Sequence, residues 1–209
     1  VWQRDLSVGH NKVGDMLAAT GDGAGALAAY REGMAISSAL AARDPGNSVW
    51  QRDLSVSHDK VGDMLAATGD GAGALAAYRE GMAIRSALAA RDPGNTVWQR
   101  DLSVGHNKVG DMLAATGDGA GALAAYREGM AISSALAARD PGNSVWQRDL
   151  IVSHVKLAER GGNAVEEYRA ALAIAMKLSD ADRLRPVDHW MVSELELRLQ
   201  NARNENDKT

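Results

Sequence analysis

Histidine recurs at 48-residue intervals in this chain, as His10, His58, His106 and His154. A repeated imidazole could hold a metal or move protons. That chemistry needs convergence, because zinc keeps its nitrogens about 2 Å away while packed helices lie about 8–10 Å apart. There is one histidine per repeat, and the chain has no cysteine. Core packing is therefore the expectation, with no metal and no cofactor. Trp2, Trp50, Trp98 and Trp146 could stack on a peptide, but they share a helical stripe with Leu6 and its copies and are expected to fill the core. Gly21-x-Gly23-x-Gly25 has the look of a phosphate loop, yet no strand precedes it and no Gly-Lys-Ser/Thr follows. No nucleophile, base and orienting group converge, so no catalytic residue is expected and the chain reads as a non-enzyme.

Of the 209 residues, 45% are hydrophobic and 24% charged, the balance of a folded protein. Net charge is −4, without the basic stripe of a nucleic-acid binder. No apolar run is long enough to span a membrane. The expected partners therefore exclude nucleic acid and membrane. The absence of cysteine and of any targeting signal is compatible with the cytoplasm. A start at Val1 rather than Met reads as a segment of a longer protein.

The dominant signal is the repeat. VWQRDLSV begins at Val1, Val49 and Val97, and VWQRDLIV at Val145. Units 1–48 and 97–144 are identical, and the middle unit differs only at Ser57, Asp59, Arg85 and Thr96. A 48-residue period suits two long helices and two short connections. Ser48 with Gln51, Thr96 with Gln99 and Ser144 with Gln147 have the spacing of a capping box. The first helix of unit one is expected over about 1–20, with Trp2, Leu6, His10, Val13 and Leu17 on a core arc. Gly21-Asp22 makes the turn, Asp22 capping a second helix that runs to about Arg43. Leu27, Tyr30, Met34, Ile36 and Leu40 spread over half of that helix, which implies burial on two sides. Asp44-Pro45-Gly46-Asn47 ends it.

The string His10-x2-Val13-Gly14-x2-Leu17, followed by Ala26-x3-Tyr30, resembles the tetratricopeptide repeat (TPR). His10, Val13 and Leu17 depart from the usual tryptophan, leucine and tyrosine. The unit is also 14 residues longer than the common form, seven at each outer helix end, about two turns of helix in each case. Similar long units opening with WQRDLS occur in bacterial multidomain proteins. A HEAT-like array is the structural alternative, disfavoured by the Gly-Asp turn and Ala-x3-Tyr. The resemblance implies an all-α fold, an α-solenoid of stacked antiparallel hairpins over 1–209. Its units would be 1–48, 49–96 and 97–144, with a shortened fourth unit at 145–185 and a capping helix at 186–204. In unit four, Trp146 to Tyr168 is six residues shorter than Trp2 to Tyr30, placing the turn at Gly161-Gly162 and the second helix from Asn163 to Leu178. Val187, Met191, Leu195, Leu199 and Ala202 share one face of the last helix, and the tail from Asn204 is expected to fray.

Gly14 and Gly33 inside helices cost about 1 kcal/mol each against alanine, and close helix contact is their expected reason. By resemblance the first helix of each unit lines a concave surface. That implies a partner-binding face of Arg4, Val8, Asn11 and Asp15, repeated as Arg52, Val56, Asp59 and Asp63 and as Arg100, Val104, Asn107 and Asp111, with Ala18, Ala66 and Ala114 as apolar floor. The carboxylate clamp known in the family is not supported, because Asp15 stands where asparagine is required. Arg85 replaces Ser37 on the broad apolar side of a second helix, where it emerges, snorkels or pairs. The expected function is a protein–protein interaction scaffold that takes a protein or peptide segment. The alternatives are self-association through the uncapped first repeat, giving a homo-oligomer, and a regulatory or sensor segment of a larger protein. Charge reversal at Asp63 and Asp111 is expected to weaken binding while leaving melting nearly unchanged.

Overall fold

The structure is a computed structural model that describes residues 2–161 and 163–207. Among the described residues there are nine α-helices and one short 3₁₀ turn. The helices are α1 (Trp2–Ala19), α2 (Gly23–Arg43), α3 (Ser48–Ala67), α4 (Gly71–Arg91), α5 (Thr96–Ala115), α6 (Gly119–Arg139), α7 (Ser144–Arg160), α8 (Ala164–Asp180) and α9 (Met191–Asn206). None is long and apolar enough to cross a membrane. The chain divides into two compact units, Val1–Asp118 and Gly119–Thr209.

In the first unit each helix packs on the next, from α1 through α5. The tight turns have a local cause. Gly21, Gly69 and Gly117 take φ of 85°, 88° and 91°, a left-handed conformation that only glycine adopts without strain. Asp22 and Asp70 then accept from the backbone N–H of Gly25 and Gly73, each at 2.8 Å, and cap α2 and α4. The longer connections differ from expectation by one residue. Asn47, not Ser48, caps α3, its Oδ1 accepting from Val49 and Trp50 at 3.1 Å. Asn95 caps α5 and Asn143 caps α7 in the same way. Asn47 is the residue with extended backbone at the boundary of the helix, and Gln51 is left to donate to Ala41 O of the preceding helix.

The two helices of a hairpin approach closely where glycine permits it. A Cβ on Gly14 would lie 2.4 Å from the Tyr30 ring, and one on Gly33 would lie 3.1 Å from Ser7 O. Gly62 and Tyr78 repeat the first contact. Around this seam Ala26, Tyr30, Leu40, Ala74, Tyr78 and Leu88 are buried, and each leucine contributes about 1.5–3 kcal/mol by leaving water. The expected core arc of α1 needs correction. Trp2, Leu6 and Val13 are exposed, because among the described residues no helix covers that side of α1. The copies of these residues in α3 and α5 lie against α2 and α4. There Val61 and Val109 are buried, while Trp50, Trp98, Leu54 and Leu102 are half-buried.

In the second unit α6, α7, α8 and α9 follow one another. Ile151, Tyr168, Ala171, Ala175, Leu178, Leu184, Met191, Leu195, Leu199 and Ala202 form its core. α7 has 17 residues against 20 in α3. It ends at Gly161, at φ 150°, and Gly162 lies outside the described residues. Asn163 caps α8. Val187 is exposed, against expectation, because 186–188 form the 3₁₀ turn and the α-helix starts only at Met191. The turn is held by Trp190 Nε1 donating to Val187 O at 2.8 Å. α9 continues past the expected end at Asn204 to Asn206.

Candidate protein-interaction face

On α1, positions 4, 8, 12 and 15 share one solvent-facing stripe by helical spacing. Successive first helices of the repeat are tied together along this stripe by two rows of ion pairs. In the first row, Arg4 Nε lies 2.5 Å from Asp53 Oδ2, and Arg52 Nε lies 2.5 Å from Asp101 Oδ2. Each guanidinium makes a second bond at 3.3 Å to the same carboxylate. These carboxylates hold the Arg4 and Arg52 pKa above its ordinary value. In the second row, Lys60 Nζ reaches Asp15 Oδ1 at 2.6 Å and Lys108 Nζ reaches Asp63 Oδ1 at 2.5 Å. Asp15 also accepts from the Tyr30 hydroxyl, and Asp63 from the Tyr78 hydroxyl, at 2.7 Å. The Lys60 hydrogen bond leads in lowering the Asp15 pKa, with Tyr30 adding to it. Burial, then the bond to Asp15, pushes Tyr30 up to about 12. Tyr78 moves the same way for the same reasons. Lys60 and Lys108 lie over the Tyr30 and Tyr78 rings, 5.8 and 5.1 Å from their centroids. Val8 and Val56 stand one turn beyond Arg4 and Arg52 and short of Asp15 and Asp63, and are 40% and 38% exposed.

The second unit carries the same two rows with different residues. Arg148, the counterpart of Arg4, lies 3.1 Å from Asp188, which also takes Arg185 at 2.6 Å. Arg185 leads in holding the Asp188 carboxyl below the usual carboxylate range. Glu159, the counterpart of Asp15, takes Arg198 at 2.5 Å. Between these pairs a cleft of about 200 Å³ opens between α7 and α9. Ile151, Val152, Val155, Trp190, Met191 and Leu195 line it, and Lys156, Glu159, Glu194 and Arg198 edge it. Val152 occupies the repeat position of Val8. Larger hollows lie where connecting loops meet second helices: about 390 Å³ around Pro45, Gln51 and Ile84, and about 270 Å³ around Pro141, Gln147 and Ile174. At these joints Arg91 donates to Gly46 O and Arg183 to Gly142 O.

The residues expected on a partner face divide into two groups. Arg4, Val8, Asp15, Arg52, Val56 and Asp63 lie on the stripe; Arg100 and Val104 are half-buried and Asp111 is exposed. Asn11, Asp59 and Asn107 are not on it. They sit at the edge of it beside the arginine position and turn into the seam between the helices of a hairpin, where the Gly33 and Gly81 approach brings them close. Asn11 and Asn107 have buried Oδ1 atoms with no hydrogen-bond partner. Asp59 is buried against Arg85, whose Nη1 and Nη2 donate to its two oxygens at 3.0 and 2.6 Å. Arg85 is 4% exposed, so of its three expected fates it takes pairing. The stripe position missed in the sequence is that of Lys60 and Lys108. Its signal was present, since lysine recurs at Lys12, Lys60 and Lys108. Asp63 bonds Tyr78 and Lys108, so reversing its charge is expected to lower the melting temperature as well as to weaken binding.

The histidines lie in the hairpin seams. His10 Nδ1 is 3.0 Å from Glu32 and His154 Nδ1 is 2.7 Å from Glu167. Burial lowers the His58 pKa, against the opposing pull of Glu80 and Asp59. Among the described residues no group of three or more histidines and carboxylates could hold a metal.

No family model matches the chain, and no curated protein matches it. Solved structures do. BtubC (BKLC) from P. vanneervenii is 16% identical, with 96% of this chain and 72% of that one covered and a TM-score of 0.66. A Podosopora anserina protein with nearly identical TPR-like repeats is also 16% identical, with 99% and 88% covered and a TM-score of 0.65. At that identity the likeness is one of fold. Together with the consecutive helix pairs and the Gly-Asp turns, it assigns the chain the all-α, TPR-like helical-repeat fold of the solenoid class.

Proposed function

We propose that the chain is a non-catalytic scaffold that holds a segment of another protein along the exposed stripe of its first helices. The observation that carries this reading is the cleft between α7 and α9. It is an apolar slot the size of one large side chain, framed by charged pairs on both sides. Small apolar slots with a polar rim are where partner side chains anchor. Val8 and Val56 offer a shallower version of the same surface in the first unit. The charges of the stripe are engaged in inter-helix pairs that hold the surface in place, which leaves apolar contact and rim hydrogen bonds to supply the affinity. A partner segment with one large apolar anchor and mixed charge fits this chemistry.

Panning a random peptide library displayed on phage against the chain tests the proposal. Selected peptides should share a large apolar position. They should lose at least about tenfold in affinity against Val152→Asp, a change worth more than about 1.4 kcal/mol at a buried anchor, while the variant keeps its helical spectrum. Peptides that bind Val152→Asp as tightly as the parent chain would remove the cleft from the binding site.

A further inference from the structure

One side of α1 is exposed, whereas the same side of α3, α5 and α7 packs on α2, α4 and α6. The repeat position of Gly9 reads Gly9, Ser57, Gly105 and Ser153 down the chain. Each of the last three meets a helix from the preceding hairpin. Ser57 Oγ donates to Ser37 Oγ of α2 at 3.3 Å, and Ser153 Oγ does the same to Ser133 Oγ of α6. Gly105 instead faces Arg85 of α4. A Cβ there would stand 3.3 Å from Arg85 Nη1 and 3.4 Å from its Cδ. Serine thus follows serine, and glycine follows arginine, because the larger side chain needs the space that the smaller one leaves. Gly9 has the arginine-type hollow with nothing within 4 Å of it.

The surroundings of Gly9 agree. Trp2 is 71% exposed, Val13 51% and Met16 72%, whereas Val61, the copy of Val13 in α3, is 5% exposed under α2. Asp5 and Lys12 are exposed. Their copies Asp53 and Lys60 are the halves of the two ion-pair rows that receive an arginine and an aspartate from the hairpin before.

We propose that this side of α1 is a docking surface for a helical hairpin of the Asp59/Arg85 type, seated with its arginine over Gly9 as Arg85 lies over Gly105. The hairpin's first helix supplies an arginine to Asp5 and an aspartate to Lys12, continuing both rows. A second copy of this chain does not supply that hairpin. Its own α4 is already packed between α3 and α5, and α8 carries Ala175 at the arginine's place and is packed by α9. The inference does not rest on the peptide-binding reading: the arginine contact at Gly9 lies off the stripe, and only the two ion-pair rows, through Asp5 and Lys12, run beside it.

Four fusions test it, each placing one added hairpin directly before Val1. The added hairpin has the sequence of residues 49–96 or of 97–144, on the parent chain or on Gly9→Ser, and amide hydrogen exchange of α1 is the readout. The arginine-type hairpin should protect α1 best in the parent chain, and the serine-type hairpin best in Gly9→Ser. Matched pairs should exceed mismatched ones by on the order of tenfold, as coupled neighbours do. The same order of protection in both backgrounds, or an α1 that exchanges as in the unextended chain, overturns the proposal. So does concentration-dependent dimerisation of the unextended chain that Met16→Glu abolishes.

Discussion

The hairpins α1–α2 and α3–α4 share all but four of their 48 positions, yet they are held together differently inside. In the first, Ser7 Oγ bonds Gly33 O at 2.9 Å and lies 2.7 Å from Ser37 Oγ, while the Asn11 oxygen is buried without a partner. In the second, Asp59 and Arg85 fill the same space with a two-pronged ion pair. The backbone path hardly differs, because the contacts that set helix spacing, Gly14 on Tyr30 and Gly62 on Tyr78, are common to both. One scaffold therefore accepts either a small hydroxyl network or a buried charge pair. The choice then propagates outward, to Ser57 in one case and Gly105 in the other.

The largest effect should come from breaking the pair from one side. Asp59→Ala leaves a guanidinium buried without its anion and should cost about 3–5 kcal/mol in denaturant melts. Asn11→Ala, which removes an oxygen already lacking a partner, should cost far less. The double change Asp59→Asn with Arg85→Ser, which recreates the first hairpin's chemistry, should recover most of the loss. A double variant as unstable as Asp59→Ala would mean that the pair is not what distinguishes the two hairpins.

A smaller, symmetrical effect is expected at the shared seam. Gly14→Ala and Gly62→Ala each drive a methyl into a tyrosine ring and should each cost about 1–3 kcal/mol. Equal costs would show that helix spacing is indifferent to the buried pair, and unequal costs would show that the pair alters it.

The smallest effect is one of pH. Burial lowers the His58 pKa in the folded chain, so the unfolded chain takes up a proton first as pH falls. The neutral-His58 contribution is complete above about 6.5, the ordinary value, and drains away as pH drops through it toward the folded value. Melting temperature should therefore decline between pH 7 and 5, and His58→Gln should flatten part of that slope. The Asp15 carboxyl, depressed by Lys60 and Tyr30, adds its own loss only at lower pH, below about 4.

The helices, their turns and the two-sided burial of the second helices could be read from the sequence, because period, Gly-Asp turns and proline stops are local signals. So was the close approach at Gly14 and Gly33. Side-chain assignment failed where a rotation of one residue step decides the outcome. Helical spacing places Asn11 and Asp59 near Val8, but the glycine contacts pull that flank into the seam and leave the lysine position outside. Asp59 and Arg85 arrived together as two opposite charges among four substitutions, a pairing signal that separate face assignments obscured. The exposure of Trp2, Leu6 and Val13 depends on which helix is next door, which spacing within α1 does not encode. The cleft between α7 and α9 depends on the irregular turn at 186–188, which has no counterpart in the repeat.

A polypeptide written almost three times over risks confusing its own pages. If α2 took the place of α4 as the hairpin partner of α3, Ser37 would face a buried Asp59 carboxylate with no cation; if α4 took the place of α2 beside α1, Arg85 would face the neutral amide of Asn11. Either misfiling strands a charge away from water and is costly, whereas Asp59 with Arg85 pairs the two charges, although the Arg85 Nε stays buried without a partner. That single ion pair serves the chain as a page number.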